Sequence, residues 1–210
     1  MSPENYQHSL KGWLKGQRPL QFMEITKEQI KKIEQYISTK LDSLNWYHTQ
    51  EVRKVAVRLA RLGKADKGIV DVAVLFHDLG KIKEGAGHAQ RSAEMARNFL
   101  EKEDLERRFI EEVVYSIIAH EMPWQNQSNL VKTIEAKVVF DADMIQQLSE
   151  FGIIKVILLK QSLINKDYRT GIIDARDNHF KFYNLLLTKN GRKMAEKGYK
   201  FIKEFYNNLL

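Results

Sequence analysis

A largely apolar run at residues 69–76 ends in the polar pair His77-Asp78, and Leu79-Gly80-Lys81 follows at once. A run of this kind is expected to be buried, so it carries an imidazole and a carboxylate to the inner end of a buried segment. Each buried polar group without a partner costs roughly 2–7 kcal/mol. A divalent cation would be the most economical partner, because imidazole nitrogen and carboxylate oxygen are both metal ligands.

Helical periodicity dominates the rest of the chain. The three prolines among 210 residues, at positions 3, 19 and 123, leave the middle of the sequence free to form long helices. Thr26 followed by Gln29 has the form of a capping box, and apolar residues recur behind it at helical spacing. Hydrophobic residues make up 43% of the chain, which is enough for a sizeable core. No alternating strand pattern of useful length is present, so the predicted fold class is all-α.

Start and stop signals predict the individual helices. In chain order they run behind Thr26, from near His48 to Gly63, from a cap at Asp66 to Asp78-Leu79, from His88, from a cap at Asp104 to Pro123, and over 130–148, 153–164, 178–189 and 192–208. Gly80 is predicted to be the stop of the third helix, and residues 165–178 are predicted to be a loop. No repeat, low-complexity tract or linker marks a second domain, so one domain over residues 1–210 is expected.

Composition and charge exclude several classes of function. Cysteine is absent, so a metal ion would have to be held by His, Asp or Glu. The net charge is +7, but the lysines are scattered and often lie four residues from a glutamate, which favours a solvated surface over a nucleic-acid stripe. The sequence has no signal-peptide pattern and no run near the ~20 apolar residues that a membrane span needs. We therefore expect a cytoplasmic protein without a membrane partner.

Several histidines are placed to join His77 and Asp78. His48 falls on the apolar face of its helix, and His120 continues the apolar face of a later helix. Inward-pointing groups at several helix ends are difficult to satisfy without a shared partner. His88, which follows a glycine-containing loop, is a further candidate.

A carboxylate on the 130–148 helix is the remaining candidate, and two aspartates compete for the role. A helical wheel places Asp141 in the middle of the apolar face, whereas Asp143 falls on the other side. The wheel alone therefore favours Asp141. A helix that is buried all round has no polar face to orient, however, and the wheel then decides nothing.

The ordered set of His48, His77-Asp78 and Ala142-Asp143 resembles the HD superfamily of metal-dependent phosphohydrolases. Residues 74–81 are similar to its second motif, and residues 141–145 are similar to its last. Residues 87–93 and 118–121 resemble the segments that supply extra histidines in two-metal members. Residues 187–195 resemble the tail of small stand-alone prokaryotic members, so the resemblance extends from about residue 45 to the end.

This resemblance implies an HD-type helical bundle with residues 1–24 as an N-terminal extension, 45–150 as the metal-site core and 151–210 as C-terminal helices. It implies His48, His77, Asp78 and Asp143 as metal ligands, with Asp141 as the alternative to Asp143. One or two divalent ions are expected, drawn from Mn²⁺, Fe²⁺, Co²⁺, Ni²⁺ and Zn²⁺.

Further residues receive roles around that ligand set. His88 and His120 are expected to bind a second ion, with Asp78 bridging the two, or to contact substrate. Lys81 is a candidate phosphate-binding residue, although an ordinary helix-end lysine is an equal interpretation. Arg91 is a weaker candidate of the same kind. Glu84 and Glu121 are alternatives as partners of ligand histidines, with surface exposure favoured for both.

The implied function is hydrolysis of a phosphomonoester or phosphodiester, and the expected substrate is a small phosphorylated molecule, a nucleotide. A di-iron oxygenase on the same ligands is one alternative, because some HD-type proteins resemble this chain in that use. A non-catalytic module that binds a nucleotide or nucleic acid is another. The loops at 121–130 and 165–178 are expected to set specificity, and the oligomeric state stays open.

Overall fold

The computed structural model describes residues 25–82, 86–161 and 167–210. Within these ranges the chain forms nine α-helices, three short 3₁₀ helices and no strand, so the all-α prediction is confirmed. The α-helices are α1 Lys27–Ser38, α2 Ser43–Gly63, α3 Lys67–Phe76, α4 His88–Lys102, α5 Arg107–Ala119, α6 Ile134–Gln147, α7 Glu150–Gln161, α8 Tyr168–Asn184 and α9 Lys189–Leu209. The 3₁₀ helices are Leu79–Ile82, Met122–Gln125 and Ser128–Leu130. The predicted extension at 1–24 and Glu84 lie outside the described residues.

Side-chain caps fix where several helices begin. The capping box ahead of α1 is confirmed, since Thr26 Oγ1 accepts from the Gln29 backbone N–H at 3.1 Å while Gln29 Oε1 accepts from the Thr26 N–H at 2.9 Å. Asp66 caps α3 as predicted, because its Oδ1 accepts from the N–H groups of Gly68 and Ile69. The predicted cap at Asp104 is wrong. That residue has a φ of +54° in the turn after α4, a conformation that aspartate tolerates, and α5 starts only at Arg107.

Two other boundaries differ from the sequence prediction. Helix α3 ends at Phe76, so His77 and Asp78 stand just beyond it, and Gly80 lies inside the following 3₁₀ helix rather than at a helix stop. The loop predicted at 165–178 is wrong from Tyr168 onward, where α8 begins. Its buried Ile172 and Ala175 pack into the C-terminal core, and this packing outweighs a polar sequence with little periodicity. The predicted helix at 178–189 is therefore the second half of α8.

Two apolar cores meet at α6. The first is built around α3, whose residues 72–76 are all buried, and includes inward faces of α1, α2, α4 and α5. The second joins α6 to α7, α8 and α9 and is rich in aromatic side chains. Helix α6 contacts α2, α3 and α5 on one side and the three C-terminal helices on the other, so its residues 138–144 are all buried. None of the described helices has the length and apolar character to cross a membrane.

Candidate metal centre

Five separate segments bring the predicted ligands to the same end of the first core. His48 lies in the second turn of α2, and His77-Asp78 directly follows α3. His88 is the first residue of α4, and His120 directly follows α5. Asp143 comes from the middle of α6. Because most of these residues lie at helix ends, the arrangement of the whole bundle determines how they meet.

His48, His77 and Asp78 form a first group that could hold a metal ion. Each residue offers one ligand atom, and these atoms all lie within 4.8 Å of one another. Asp78 Oδ2 lies 3.5 Å from the Nε2 atoms of both His48 and His77. Asp143 lies beside this group, with its Oδ1 3.2 Å from His48 Nε2, but it is not one of the three mutually close residues.

Asp78, His88 and His120 form a second group of the same kind. Asp78 Oδ1 lies 3.5 Å from His88 Nε2 and 4.0 Å from His120 Nε2. The two imidazole Nε2 atoms are themselves 3.4 Å apart. The Asp78 carboxylate therefore has one oxygen facing each group, so it could contribute a ligand to a metal ion held by either group.

All four imidazoles are held in the same way. In each ring the Nδ1 atom contacts an oxygen acceptor, which keeps the N–H on Nδ1 and the lone pair on Nε2. The acceptors are Gln146 Oε1 for His48 at 2.9 Å, the Val74 carbonyl for His77 at 2.7 Å, the Ile117 carbonyl for His120 and Glu121 Oε1 for His88 at 2.8 Å. The four Nε2 atoms therefore present lone pairs toward Asp78.

Unsatisfied polar atoms at this site test whether a metal ion fits. His48 Nε2, His77 Nε2 and Asp78 Oδ1 are buried, and none of them forms a hydrogen bond with any described residue. Three such atoms at one site would cost several kcal/mol without a partner (roughly 1–3 kcal/mol each). Imidazole nitrogens and carboxylate oxygens form a donor set for divalent transition metals. The residues present therefore fit a metal ion of this class.

The charges of the site favour a cation. Burial alone would raise the pKa of Asp78, but His77, Lys81 and His48 outweigh it and hold the pKa well below its ordinary value. The pKa of Asp143 is likewise lowered, against the effect of burial, chiefly by His48. Burial lowers the pKa of His77 to about 4, so this ring stays neutral at pH 7. Two anionic carboxylates beside a neutral imidazole favour a bound cation, in addition to the Lys81 ammonium that contacts Asp78 Oδ2.

His48 and His120 shift in opposite directions. Burial by itself would lower the pKa of His48, but the adjacent Asp143 and Asp78 carboxylates leave it raised. Burial lowers the pKa of His120, which lies farther from those carboxylates' oxygens. A proton therefore competes with a cation more strongly at His48 than at His120.

Lys81 and Arg91, the two predicted phosphate-binding candidates, have different surroundings. Lys81 Nζ lies 2.6 Å from Asp78 Oδ2, and its side chain is 40% exposed, so it borders the first group and reaches solvent. Arg91 donates from Nε to the Gly80 carbonyl at 3.0 Å and from Nη1 to the Ala86 carbonyl at 2.6 Å. Arg91 thus ties the 3₁₀ helix to the start of α4.

Two glycines allow the 3₁₀ helix at Leu79–Ile82 to pack closely against the start of α4. A Cβ atom at Gly80 would lie 2.2 Å from the His88 carbonyl oxygen, and the Gly80 N–H donates to Ser92 Oγ at 2.8 Å. Gly87 has a φ of +83° immediately before His88, a conformation that glycine adopts without strain. The 3₁₀ helix and α4 can therefore approach closely, which places Asp78 opposite His88.

Asp141, the alternative ligand, faces away from the histidines. Its Oδ1 accepts from the Leu187 N–H at 2.7 Å, and its Oδ2 accepts from the Thr188 N–H at 2.9 Å and the Thr188 hydroxyl at 2.6 Å. Thr188 is the N-cap of α9. Asp141 therefore anchors the C-terminal helices, and its carboxylate is already satisfied.

Sequence reasoning missed several residues at this site. Gln146 was not considered, although it lies one turn after Asp143 on α6 and contacts His48. Glu121 was expected at the surface, but its side chain is mostly buried against His88, which lowers the pKa of Glu121. Lys155 was also missed, and its interruption of an apolar run was the available signal. Glutamine at one-turn spacing from a ligand aspartate is a weak signal because such pairs are common on helices.

Comparison with known proteins finds one family model and several solved structures that resemble this chain. The family model described as "HD domain" matches residues 45–148. No curated protein matches the chain. The solved structures that match include an HD-superfamily hydrolase from Bacillus thuringiensis, at 20% identity over 87% of this chain and 95% of that one, with a TM-score of 0.68.

Two further structures show the same fold. A predicted HD-superfamily hydrolase from an uncultured Thermotogales bacterium is 24% identical over 87% of this chain and 90% of that one, with a TM-score of 0.61. YpgQ from Bacillus subtilis, solved in complex with ADP, is 23% identical over 87% of this chain and 93% of that one, with a TM-score of 0.70. The segment matched by the family model contains every histidine and aspartate of the two groups, and the chain is an HD-domain protein.

Proposed function

We propose that this chain is a metal-dependent phosphohydrolase that cleaves a phosphomonoester or phosphodiester of a nucleotide, with water as the nucleophile. The observation that carries the proposal is the position of Asp78, whose two oxygens face two different groups of imidazoles. Sites with two ions about 3.5–4 Å apart are a recurrent arrangement for displacement at phosphorus.

In this proposal His48, His77, Asp78 and Asp143 hold one ion, while Asp78, His88 and His120 hold the second. Divalent ions bound there would supply a water of lowered pKa and polarise a phosphoryl oxygen. Gln146 and Glu121 keep the imidazoles of His48 and His88 in the orientation and tautomer that ligation requires. Burial of His77 and His120 excludes bulk water from the inner side of the site.

The rim of the site offers groups for a phosphorylated substrate. Lys81 extends from Asp78 toward solvent and can bind a phosphate oxygen at the point where substrate would enter. His88 is the more exposed imidazole of the second group, with a side chain 21% exposed against 4% for His120. If this group contacts substrate rather than a second ion, His88 is the one placed to hold a proton for the leaving group.

Support for a nucleotide comes from the structural relatives. YpgQ was solved with ADP, and two other proteins of the same fold are described as HD-superfamily hydrolases. These proteins are at most 24% identical to this chain, so they share its fold and make nucleotides the first substrates to test.

The test uses the full-length chain, stripped of metal and reloaded separately with Mn²⁺, Fe²⁺, Co²⁺, Ni²⁺ or Zn²⁺. Each form is assayed against nucleoside mono-, di- and triphosphates, cyclic nucleotides and generic phosphate esters. We expect turnover that requires a divalent ion, is lost in Asp78→Asn and is retained in the exposed control Asp174→Asn.

Absence of turnover on every substrate, with metal bound stoichiometrically, would refute the proposal. Oxygen uptake by the iron-loaded chain with polyol and phosphonate substrates is measured in parallel. Uptake without phosphate-ester cleavage would assign the same ligands to an oxygenase instead.

A further inference from the structure

A lysine in the first half of α7 is buried beside the candidate metal centre. Lys155 stands in a stretch of α7 that is otherwise largely apolar, and the residue is only 6% exposed. Lysine is almost never buried to this degree unless it is paired, because transferring an ammonium group out of water is costly. Its placement therefore requires an explanation.

The position of Lys155 relative to the metal centre follows from its neighbours. Phe151 lies one turn earlier on α7, and its ring packs against Tyr47 with centroids 4.7 Å apart. Tyr47 directly precedes His48, so this face of α7 lies against the start of α2. The charged groups that act on the Lys155 ammonium are Asp143, Asp78, Lys81 and the α2 cap Asp42. Two of these carboxylates belong to the candidate metal centre.

No described residue forms a hydrogen bond or ion pair with the Lys155 ammonium group, even though carboxylates lie near it. Lys81, by contrast, is paired directly with Asp78 at 2.6 Å. Burial lowers the pKa of Lys155, against the attraction of Asp143 and Asp78. A purely structural counter-charge would be expected to sit in contact with its carboxylate, as Lys81 does. The Lys155 ammonium is instead a hydrogen-bond donor beside the candidate metal centre that can still bind an acceptor.

We propose that Lys155 is a substrate-binding residue, whose ammonium group donates hydrogen bonds to a phosphate oxygen of the substrate at the α7 wall of the metal centre. An anion is the chemical class that pairs with an ammonium group lacking a direct partner, and phosphate offers several strong acceptor oxygens. The inference rests on the proposed function in one respect, namely that the substrate is phosphorylated. It adds to the site a phosphate-binding cation, the Lys155 ammonium, which lies outside residues 45–148 that the family model matches.

The test measures equilibrium binding, so that it does not depend on turnover. The full-length Mn²⁺-loaded chain is titrated calorimetrically with α,β-methylene-ADP and with inorganic phosphate. The variants are Lys155→Met, which keeps the length of the side chain without its charge, and Lys155→Arg, which restores a cation. Lys197→Met, at an exposed position on α9, controls for the loss of one positive charge. Mn²⁺ affinity and the thermal midpoint of each loaded variant are measured alongside.

Lys155→Met is expected to weaken binding of α,β-methylene-ADP by about 10- to 100-fold, as for a lost hydrogen bond to a charged group. Lys155→Arg should recover most of that loss, and Lys197→Met should bind as the wild type does. Mn²⁺ affinity should be retained in Lys155→Met, and its thermal midpoint should be unchanged or higher, because a mostly buried side chain loses a charge that has no direct partner. If the methionine variant fails to fold, Lys155→Gln replaces it with the same expectation.

Binding of α,β-methylene-ADP within threefold of wild type in Lys155→Met would overturn the inference, as would a wild-type chain that binds neither probe. A lower thermal midpoint together with unchanged binding would assign Lys155 a structural role. The two proposals fail separately. A chain that binds the analogue through Lys155 but hydrolyses no phosphate ester refutes only the proposed function, whereas an active chain indifferent to Lys155→Met refutes only this inference.

Discussion

Asp141 and Asp143 lie two residues apart on α6, both are buried, and their surroundings are opposite. Asp141 faces the C-terminal helices, where three hydrogen bonds from Leu187 and Thr188 satisfy its oxygens. Asp143 faces the histidines, with Oδ1 3.2 Å from His48 Nε2. Burial raises the pKa of Asp141 despite its hydrogen bonds, while His48 and His77 hold the pKa of Asp143 below its ordinary value.

The contrast shows how one helix can serve two regions with the same residue type. Where backbone N–H groups converge on a carboxylate, the carboxylate is a structural anchor. Where carboxylate oxygens and imidazole lone pairs converge on each other, a divalent cation is the partner that would satisfy both. The polar groups on the face of α6 toward the C-terminal helices are therefore already satisfied, whereas the face toward the histidines is suited to a ligand.

The largest effect is expected at Asp78, the residue common to both histidine groups. Asp78→Asn removes the charge but keeps the shape, and turnover should fall by at least about 10³-fold because several kcal/mol of transition-state stabilisation are lost. Elemental analysis should show that the variant retains neither ion of the loaded wild type. Retention of both ions by Asp78→Asn would mean that the carboxylate does not link the two groups.

Acidification should destabilise the metal-free chain because the folded protein resists protonation of His77. The unfolded chain binds a proton at His77 below about pH 6.5, whereas the folded chain binds it only near the lowered pKa of about 4. Stability should therefore fall as the pH drops from 6.5 to 4, by up to about 3 kcal/mol from this residue. Urea unfolding of metal-free protein across this range measures the effect.

The control for this pH dependence is His77→Gln, which removes the titrating ring. The raised pKa of His48 opposes the trend only above pH 6.5, and the lowered pKa of His120 reinforces it below. A stability curve equally steep in His77→Gln and in wild type would show that another group is responsible.

Exchanging the two α6 aspartates for asparagine tests the comparison directly. Asp141→Asn places an amide N–H₂ group against backbone donors and should lower the free energy of unfolding by about 2–3 kcal/mol, with metal affinity unchanged. Asp143→Asn should lower metal affinity by about 10- to 100-fold and leave the metal-free chain as stable as wild type or more so. Denaturant unfolding and metal titration of both variants check this.

The reverse pattern would break the comparison. If Asp141→Asn lost metal while Asp143→Asn lost stability, the assignment of ligand and anchor would be exchanged between the two residues.

The smallest effects are expected from the residues that orient the imidazoles. Gln146→Met and Glu121→Met should each lower metal affinity by about tenfold, since His48 and His88 lose the acceptors that fix their tautomers. Gln35→Met, at an exposed position of α1, serves as a control for the glutamine exchange. Metal affinity unchanged in both test variants would show that these contacts do not support ligation.

The fold class and the convergence of the histidines could be predicted from sequence, because periodicity and the apolar run at 69–76 are local signals. The choice between Asp141 and Asp143 could not, because α6 is buried all round and a helical wheel has no polar face to orient. Family resemblance pointed to Asp143, and the geometry gives the two residues different partners.

Other features could not be predicted from the sequence, for physical reasons. The first half of α8 was predicted as a loop because its stability comes from packing into the aromatic core rather than from periodicity. Gly80 was interpreted as a stop, whereas it permits a tight approach to His88 that only the tertiary structure reveals. Gln146 and Lys155 reach the site across helix contacts that no sequence spacing encodes.

The most direct test of the shared-carboxylate arrangement is anomalous diffraction from crystals of the Mn²⁺-loaded chain. Two anomalous peaks about 3.5–4 Å apart are expected on either side of Asp78, one near His48 and His77 and the other near His88 and His120. Mn²⁺ bound stoichiometrically in the crystal with no peak within coordination distance of Asp78 would contradict the account.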